Sequence, residues 1–402
     1  MIKILELFGG IGACSSALTK LGIEYEIADY VEIDKYAVKS FNAIHNTNFE
    51  PQDICKWDKD IKVDLIMHGS PCQDFSLAGK QAGGDEGSGT RSSLMYETIR
   101  IVEKLKPKYV IWENVKNLLS KKHRHNFDAY LEKMKQLGYI NYYQVLNAKD
   151  YGIPQNRERV FTVSILNNGV VGAAMRGRYD NGKIKQHLEI SDRECANAIT
   201  TVQKDCLVCE QNKQFAFPPK QPLKLKLKDM LEENVDEKFY LSESRIQKIA
   251  NWRAYQKPFE KVQGKNSIVP TLTARGAGEE HSGMITYSEN LEDTTNLQEE
   301  CLKVGLFDDT SSNNFAKGKR DYGYKNEYGT LKCSPKYSIY KNIDLRIRKL
   351  TPKECWRLMG FDDSDYEKAS KVNSNTQLYK QAGNSIVVNV LVAIFKELIK
   401  WF

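Results

Sequence analysis

No apolar run in these 402 residues reads as long enough for a membrane-spanning helix, and Ile2-Lys3-Ile4-Leu5-Glu6-Leu7-Phe8 opens the chain as a strand. A basic, apolar and cleavable leader is missing, so an intracellular, cytoplasmic protein that enters no membrane is expected. A metal-ligand set is missing too. Cys206-Leu207-Val208-Cys209 is a lone CxxC with Cys195 upstream and no fourth ligand at sensible spacing, so no metal is expected. Nine cysteines, an odd number scattered along a chain without a leader, read as reduced thiols. Internal repetition is absent beyond a faint likeness between Asn197-Ala198-Ile199-Thr200-Thr201 and Pro270-Thr271-Leu272-Thr273-Ala274. The dinucleotide fingerprint lacks its third glycine, because Ser15 stands three positions after Gly12, and this argues against a nicotinamide cofactor.

What is present is ordinary globular composition, 41% hydrophobic and 28% charged, in a length that suits two domains. The charge of +7 favours a polyanionic partner without requiring one. Residues 1–166 alternate strand-like and helix-like segments, the pattern of an α/β doubly wound, mostly parallel sheet. Leu18 and Leu21 precede a stop at Gly22. Leu94, Ile101, Val102 and Leu105 line a helix that must end before Pro107. Phe127, Tyr130, Leu131, Met134 and Leu137 line another that stops at Gly138. Residues 167–345 lose this rhythm and read as a second, irregular, β-rich module. Apolar periodicity returns over 346–402 and ends in a helix carrying Val387, Val390, Leu391, Ile394, Phe395 and Leu398. A helix so apolar must pack on the first domain, which makes that domain discontinuous.

The strand ends carry the chemistry. Phe8-Gly9-Gly10-Ile11-Gly12 follows the first strand and opens a helix; Val31-Glu32-Ile33-Asp34 ends the second, where a carboxylate can take ribose hydroxyls; Pro51-Gln52-Asp53-Ile54 follows, where an acid can accept from an adenine amino group. This suits an adenosine cofactor without a pyrophosphate. Gly69-Ser70-Pro71-Cys72-Gln73 places a thiol directly after the strand-like Val63-Asp64-Leu65-Ile66-Met67. Tyr109-Val110-Ile111-Trp112 delivers Glu113-Asn114-Val115 to the same kind of edge. Gln155-Asn156-Arg157-Glu158-Arg159 adds two arginines that share a face if the segment is extended. Each residue alone has a plainer reading. Cys72 could be a small buried hydrophobe, Glu113 an ion-pair partner, the arginines edge charges, and Glu32 or Asp53 solvated acids.

Taken together and in this order, these segments resemble the cytosine-C5 DNA methyltransferases. Arg348-Lys349-Leu350-Thr351-Pro352 through Gly360-Phe361, and Gln381-Ala382-Gly383-Asn384-Ser385, match the family's last two motifs. The resemblance implies S-adenosylmethionine as cofactor, with S-adenosylhomocysteine as product. It assigns Phe8, Gly10, Ile11, Gly12, Glu32, Ile33, Asp53, Ile54, Pro71, Leu94, Asn384 and Ser385 to the cofactor pocket. Catalysis is assigned to Cys72, Glu113, Arg157 and Arg159, and DNA contact to Gln73, Ser76 and Thr271. One departure is Ala13-Cys14, where many members carry Gly-Gly.

Carbon 5 of cytosine is too weak a nucleophile until a thiolate adds to carbon 6 and an acid relieves the charge at N3, the roles implied for Cys72 and Glu113. A thiol of pKa about 8.5 needs help to ionise, for which Arg159 is the candidate, and an apolar site would help keep the Glu113 proton. Attack comes from the stacked face of the ring, so the cytosine must leave the helix. The expected partner is therefore double-stranded DNA, bound by a monomer. The glycine-containing stretch 74–93 is either a closing lid or a solvated connector. Lys224, Lys226 and Lys228 either meet phosphates along an extended segment or are solvated surface. Two rival functions are a tRNA cytosine-C5 methyltransferase, against which the long middle module argues, and a DNA-binding relative without activity, against which intact Cys72, Glu113 and Arg159 argue.

Overall fold

The computed structural model describes residues 1–71, 91–167, 171–180, 183–190, 207–209, 214–242, 269–270, 284–287 and 346–401. A six-stranded sheet forms the centre, from β1 (Ile2–Leu7), β2 (Tyr25–Val31), β3 (Leu65–His68), β4 (Tyr109–Val115), β5 (Tyr139–Asn147) and β7 (Glu158–Leu166), with a two-residue β6 (Gln155–Asn156) before the last. Its order is β2-β1-β3-β4-β7-β5. Strands β1 to β4 are parallel, whereas β7 runs antiparallel to β4 and β5. Five of the six strands therefore run in one direction, as the mostly parallel expectation has it, and β7 alone is reversed. The link 148–157 is too short for a crossover helix, so β7 can only return antiparallel to β5.

Side-chain alternation along the parallel strands builds a core on each face. Ile4, Leu65, Met67, Tyr109 and Ile111 face a layer that includes Ala17 and Leu18 of α1 (Ala13–Lys20). Leu5, Leu7, Ile66, Val110 and Trp112 face α3 (Met95–Leu105) and α4 (Arg124–Gln136). Another helix, α2 (Lys35–His45), follows β2. The expected stops hold. Lys106, at φ +46°, ends α3 before Pro107, and Gly138, at φ +94°, follows α4. Strand order reverses between β2-β1 and β1-β3, so the crevice of this sheet lies at the carboxyl ends of β1 and β3.

The C-terminal segment contributes α5 (Pro352–Arg357), α6 (Asp363–Ser370), α7 (Asn375–Asn384) and α8 (Val388–Leu398). Val388, Val390, Leu391, Ile394, Phe395 and Leu398 of α8 are buried in the same cluster as Ile4 and Leu18, each such side chain contributing about 1.5–3 kcal/mol of gross burial. The last helix and the first strand thus share one core. By length and composition, Asn375–Trp401 could cross a membrane, contrary to the first reading of the sequence. More than half of its most apolar window is buried in the fold, and Ser385 (φ −72°, ψ 161°) breaks the stretch into two helices.

The middle region is β-rich where described. β8 (Val171–Asp180), β9 (Lys183–Ile190) and β10 (Leu207–Cys209) form an antiparallel sheet; β11 (Val269–Pro270) pairs with β6, and β12 (Met284–Tyr287) with β13 (Arg346–Lys349). It is not wholly separate, because Phe215, Leu227 and Met230 join the core that holds α8. Lys224, Lys226 and Lys228 are exposed, but a 3-10 turn over Leu227–Met230 ends the extended stretch, so Lys228 leaves the expected stripe.

One buried ion pair fastens these parts. Arg348, 1% exposed, donates to both carboxylate oxygens of Glu354, itself fully buried, at 2.8 and 2.7 Å. Glu354 also accepts from the backbone of Thr351 at 2.7 Å, closing a capping box on α5, and from the backbone of Glu232 at 2.9 Å. Glu354→Gln strands a buried guanidinium, so urea unfolding should show a loss of about 3–5 kcal/mol. A loss under about 1 kcal/mol would show that water reaches the pair.

Candidate active site

Strand β3 ends in Gly69-Ser70-Pro71, and its neighbour β4 holds that loop in place. Trp112 Nε1–H donates to Ser70 Oγ at 2.9 Å, and Asn114 Nδ2 approaches Ser70 O at 3.4 Å. A methyl group placed on Gly69 would lie 3.5 Å from Ile386 Cδ1 and 3.9 Å from Glu113 Oε2. Three elements far apart in sequence therefore meet where the described chain reaches Pro71. Cys72, Gln73, Ser76 and Thr271 lie outside the described residues. Behind the loop, His68 is fully buried, stacked on Trp112 with centroids 5.6 Å apart, and its Nε2 lies 3.1 Å from the Tyr130 hydroxyl. Burial holds it neutral, its pKa lowered to about 3.

Glu113 is 9% exposed and pairs with Arg159 Nε at 3.1 Å. Arg159 stands opposite Val115 in the β4/β7 ladder, two positions from the Glu113 register, which puts both side chains on one face. Burial raises the Glu113 pKa, against the pull first of Arg159 and then of Arg157. The two arginines do not share one extended strand as expected. Arg157 N–H donates to Gln155 O at 3.1 Å, and the chain turns there, between β6 and β7. Its guanidinium, 4% exposed, donates to Ser385 O at 2.8 Å and Gly383 O at 3.3 Å. Arg159 thus reaches the acid and Arg157 the C-terminal segment.

The proposed cofactor side is equally constrained. Phe8 has φ +53°, a conformation that bulky residues adopt only where the surroundings enforce it. Glu32 accepts from the backbone of Gly10 at 3.2 Å and of Asp34 at 2.8 Å, and burial raises its pKa. Ile33 is 70% exposed beside it. Asp53 caps a one-turn helix over Ile54–Lys56, accepting from Cys55 N–H at 3.0 Å, and Ile54 is buried. Pro71 and Leu94 are half-buried and Asn384 is exposed, while Ser385 is buried. Ile11, 1% exposed, belongs to the core under the turn.

Several positioning groups escaped the sequence reading. Glu6, a carboxylate inside the apolar β1, accepts from Ser15 N–H at 3.1 Å and from its hydroxyl, capping α1 in place of Gly12, which has no side chain to do so. Burial lifts its pKa to about 7. Asp29 gathers Gln52 at 3.0 Å, Trp57 Nε1 at 2.7 Å and Lys59 at 2.8 Å, and Arg100 donates to Ile54 O at 3.0 Å and Trp57 O at 2.9 Å. Together they fix the loop carrying Asp53. A charged residue within an apolar run was the only available signal for Glu6. Among the described residues, no group of three or more His, Cys, Asp or Glu is placed to hold a metal ion.

The profile of the family described as C-5 cytosine-specific DNA methylase matches residues 2–400. The Type II methyltransferase M2.ScrFI of Lactococcus lactis subsp. cremoris is 32% identical over 455 aligned residues, covering 100% of this chain and 99% of that protein. The orphan methyltransferase M.SPBetaI of Bacillus phage SPbeta is 31% identical, covering 99% of this chain and 97% of that protein. Among solved structures, a DNMT2 mutant of Spodoptera frugiperda aligns with a TM-score of 0.62 at 21% identity, covering 99% of this chain and 100% of that one. Entamoeba histolytica methyltransferase EhMeth aligns with a TM-score of 0.62 at 13% identity, covering 100% of this chain and 98% of that one. These structural likenesses bear on the fold alone.

The buried ionisable groups set a pH dependence. His68 and His45, with pKa values lowered to about 3 and about 4, stay neutral in the fold while the unfolded chain protonates near 6.5. Their contribution is fully present above pH 6.5 and is lost as pH falls. Glu6, raised to about 7, acts oppositely, its contribution being lost as pH rises from 4.5 through 7. Each histidine thus makes stability fall with acidification below pH 6, a slope that the raised carboxyls Glu6, Glu32 and Glu113 oppose. In His68→Gln, the slope of unfolding free energy between pH 6 and 5 should lessen by about 1.4 kcal/mol per unit. An unchanged slope would place the acid sensitivity elsewhere.

Proposed function

Because the chain belongs to the C-5 cytosine-specific DNA methylase family, we propose that it methylates carbon 5 of a cytosine flipped out of duplex DNA. S-adenosylmethionine, when bound, supplies an electrophilic methyl group. The observation that carries the reading is Glu113, a buried carboxyl whose proton is favoured by burial, 3.9 Å from a methyl position on the Gly69 loop that leads to Cys72. The pocket side fits an adenosine cofactor. Glu32 offers a half-buried carboxylate to the ribose, Ile33 an exposed apolar face to the base, and Asp53 an acceptor at a fixed loop.

In this reading the Cys72 thiolate adds to carbon 6 while Glu113 holds the proton at N3, so the ring becomes an enamine-like nucleophile at carbon 5. After methyl transfer, carbon 5 loses its proton and elimination returns the thiolate. Arg159 orients Glu113 and binds the cytosine O2 in this reading, supported by its contact with Glu113. Arg157 acts as a positioning residue, holding Ser385 and its neighbour Asn384 to the pocket. Gln73, Ser76 and Thr271 contact DNA, and residues 167–345 choose the sequence, with 214–232 anchoring that region to the catalytic core. The protein works as a monomer in the cytoplasm of a bacterial or phage-infected cell.

Expression in cells devoid of cytosine methylation, followed by genome-wide mapping of 5-methylcytosine, tests the reading. One recurrent sequence should be methylated by the parent and none by Cys72→Ala. Methylation confined to tRNA, or none at all from the parent, would overturn it. Glu113→Gln keeps the shape of the side chain but not its acid. Turnover on duplex DNA should fall about a hundredfold or more with DNA binding retained, and near-parental turnover would remove Glu113 from the proton at N3.

A further inference from the structure

The glycine-rich turn rests on a slab of three rings, none of them among the residues assigned to the pocket. Tyr30, near the end of β2, stacks on Phe41 of α2 with centroids 3.7 Å apart, and Phe41 meets His45 at 4.6 Å. The slab supports the turn at successive points. The Tyr30 hydroxyl donates to Gly10 O at 2.6 Å, and a methyl group on Gly9 would fall 2.6 Å from Tyr30 Cε2. A methyl on Gly12 would fall 2.2 Å from His45 Nε2 and 2.9 Å from Phe41 Cε2. Gly12 also has φ +80°, so its backbone conformation and the rings beneath it both exclude a side chain.

His45 is the unusual member of the slab. Tyr30 and Phe41 are fully buried and serve the core in any case. His45 sits in the last turn of α2, where helix carbonyls favour a cation. Lys368 Nζ occupies that end, donating to Ile44 O at 3.1 Å, and burial keeps the imidazole neutral. The ring is thereby left against Gly12, its Nε2 buried without a hydrogen-bond partner among the described residues.

We propose that His45 is a positioning residue for the cofactor, fixing the Ile11-Gly12 backbone from the side away from the ligand. The inference rests on the reading of this turn as the S-adenosylmethionine cradle. Removing the ring leaves a void under Gly12. A loosened turn must then be ordered by the ligand, at a cost in affinity. The chemical step, which depends on groups at β3, β4 and β7, is untouched once the cofactor is seated.

The test is calorimetric titration of the full-length protein with S-adenosylhomocysteine, together with steady-state kinetics on duplex DNA. In His45→Ala the dissociation constant and the KM for S-adenosylmethionine should rise about tenfold, equivalent to about 1.4 kcal/mol. kcat at saturating cofactor should stay near that of the parent. If His45→Ala does not fold, His45→Val, which is smaller than the ring and still leaves part of the void under Gly12, carries the same expectation in direction. Lower thermal stability with parental affinity for S-adenosylhomocysteine in a folded variant would overturn the proposal, leaving His45 a packing residue. A fall in kcat with unchanged affinity would overturn it as well. A parent protein that fails to bind S-adenosylhomocysteine would instead overturn the cradle reading, and with it this inference.

Discussion

The buried guanidinium of Arg157 is the contact on which the rest of the site depends. An isolated charge away from water is strongly unfavourable unless hydrogen bonds replace its hydration. Here the replacement comes from Gly383 O and Ser385 O, at the carbonyl end of α7, where the helix leaves acceptors unpaired and partially negative. The dependence runs both ways. Arg157 needs that helix end for solvation, and the helix end needs Arg157 to terminate against the sheet. The turn that aims Arg157 toward α7 leaves Arg159, two residues on, to reach Glu113.

Two buried carboxyls, Glu6 and Glu113, and the half-buried Glu32 lie near the strand ends, and their surroundings separate them. Glu6 meets backbone and hydroxyl donors of Ser15, Glu32 meets backbone donors of Gly10 and Asp34, and Glu113 meets a guanidinium. Desolvation raises all three pKa values. In Glu113 two arginines oppose that push, a balance that fits the proton-holding role proposed for it. Glu6 and Glu32 instead use their acceptors on the backbone, and what they hold is the shape of the turn.

Much of this was legible before any coordinates, because strand-end motifs and helical periodicity are local properties. Gly69 through Pro71, Glu113 and Arg159 converge as their order suggested, and α8 returns to the first domain because its apolar residues have nowhere else to go. The antiparallel β7 was missed, since strand direction depends on connection length more than on side-chain pattern. The break at Arg157 was missed because an extended reading assumed uninterrupted pairing. Thr351-Pro352-Lys353-Glu354 carries a legible helix-start signature, yet its bond to Arg348 is tertiary and nothing local announces it. Nothing in the sequence singles out His45 or Asp29, and only the fold brings them against Gly12 and Trp57.

The sharing of one core by β1 and α8 has a consequence for the time course of synthesis. Ile4 and Leu18 are translated hundreds of residues before Leu391 and Phe395, against which they are finally buried. A nascent chain therefore carries a half-covered sheet face while the whole middle region is being made, exposed apolar surface of the kind that chaperones shield. Contacts of such sequence separation also slow folding, because the intervening chain must be closed into a loop first. A truncated product ending before α7 lacks the carbonyls that solvate Arg157, so that guanidinium stays without these acceptors until Ser385 has been made.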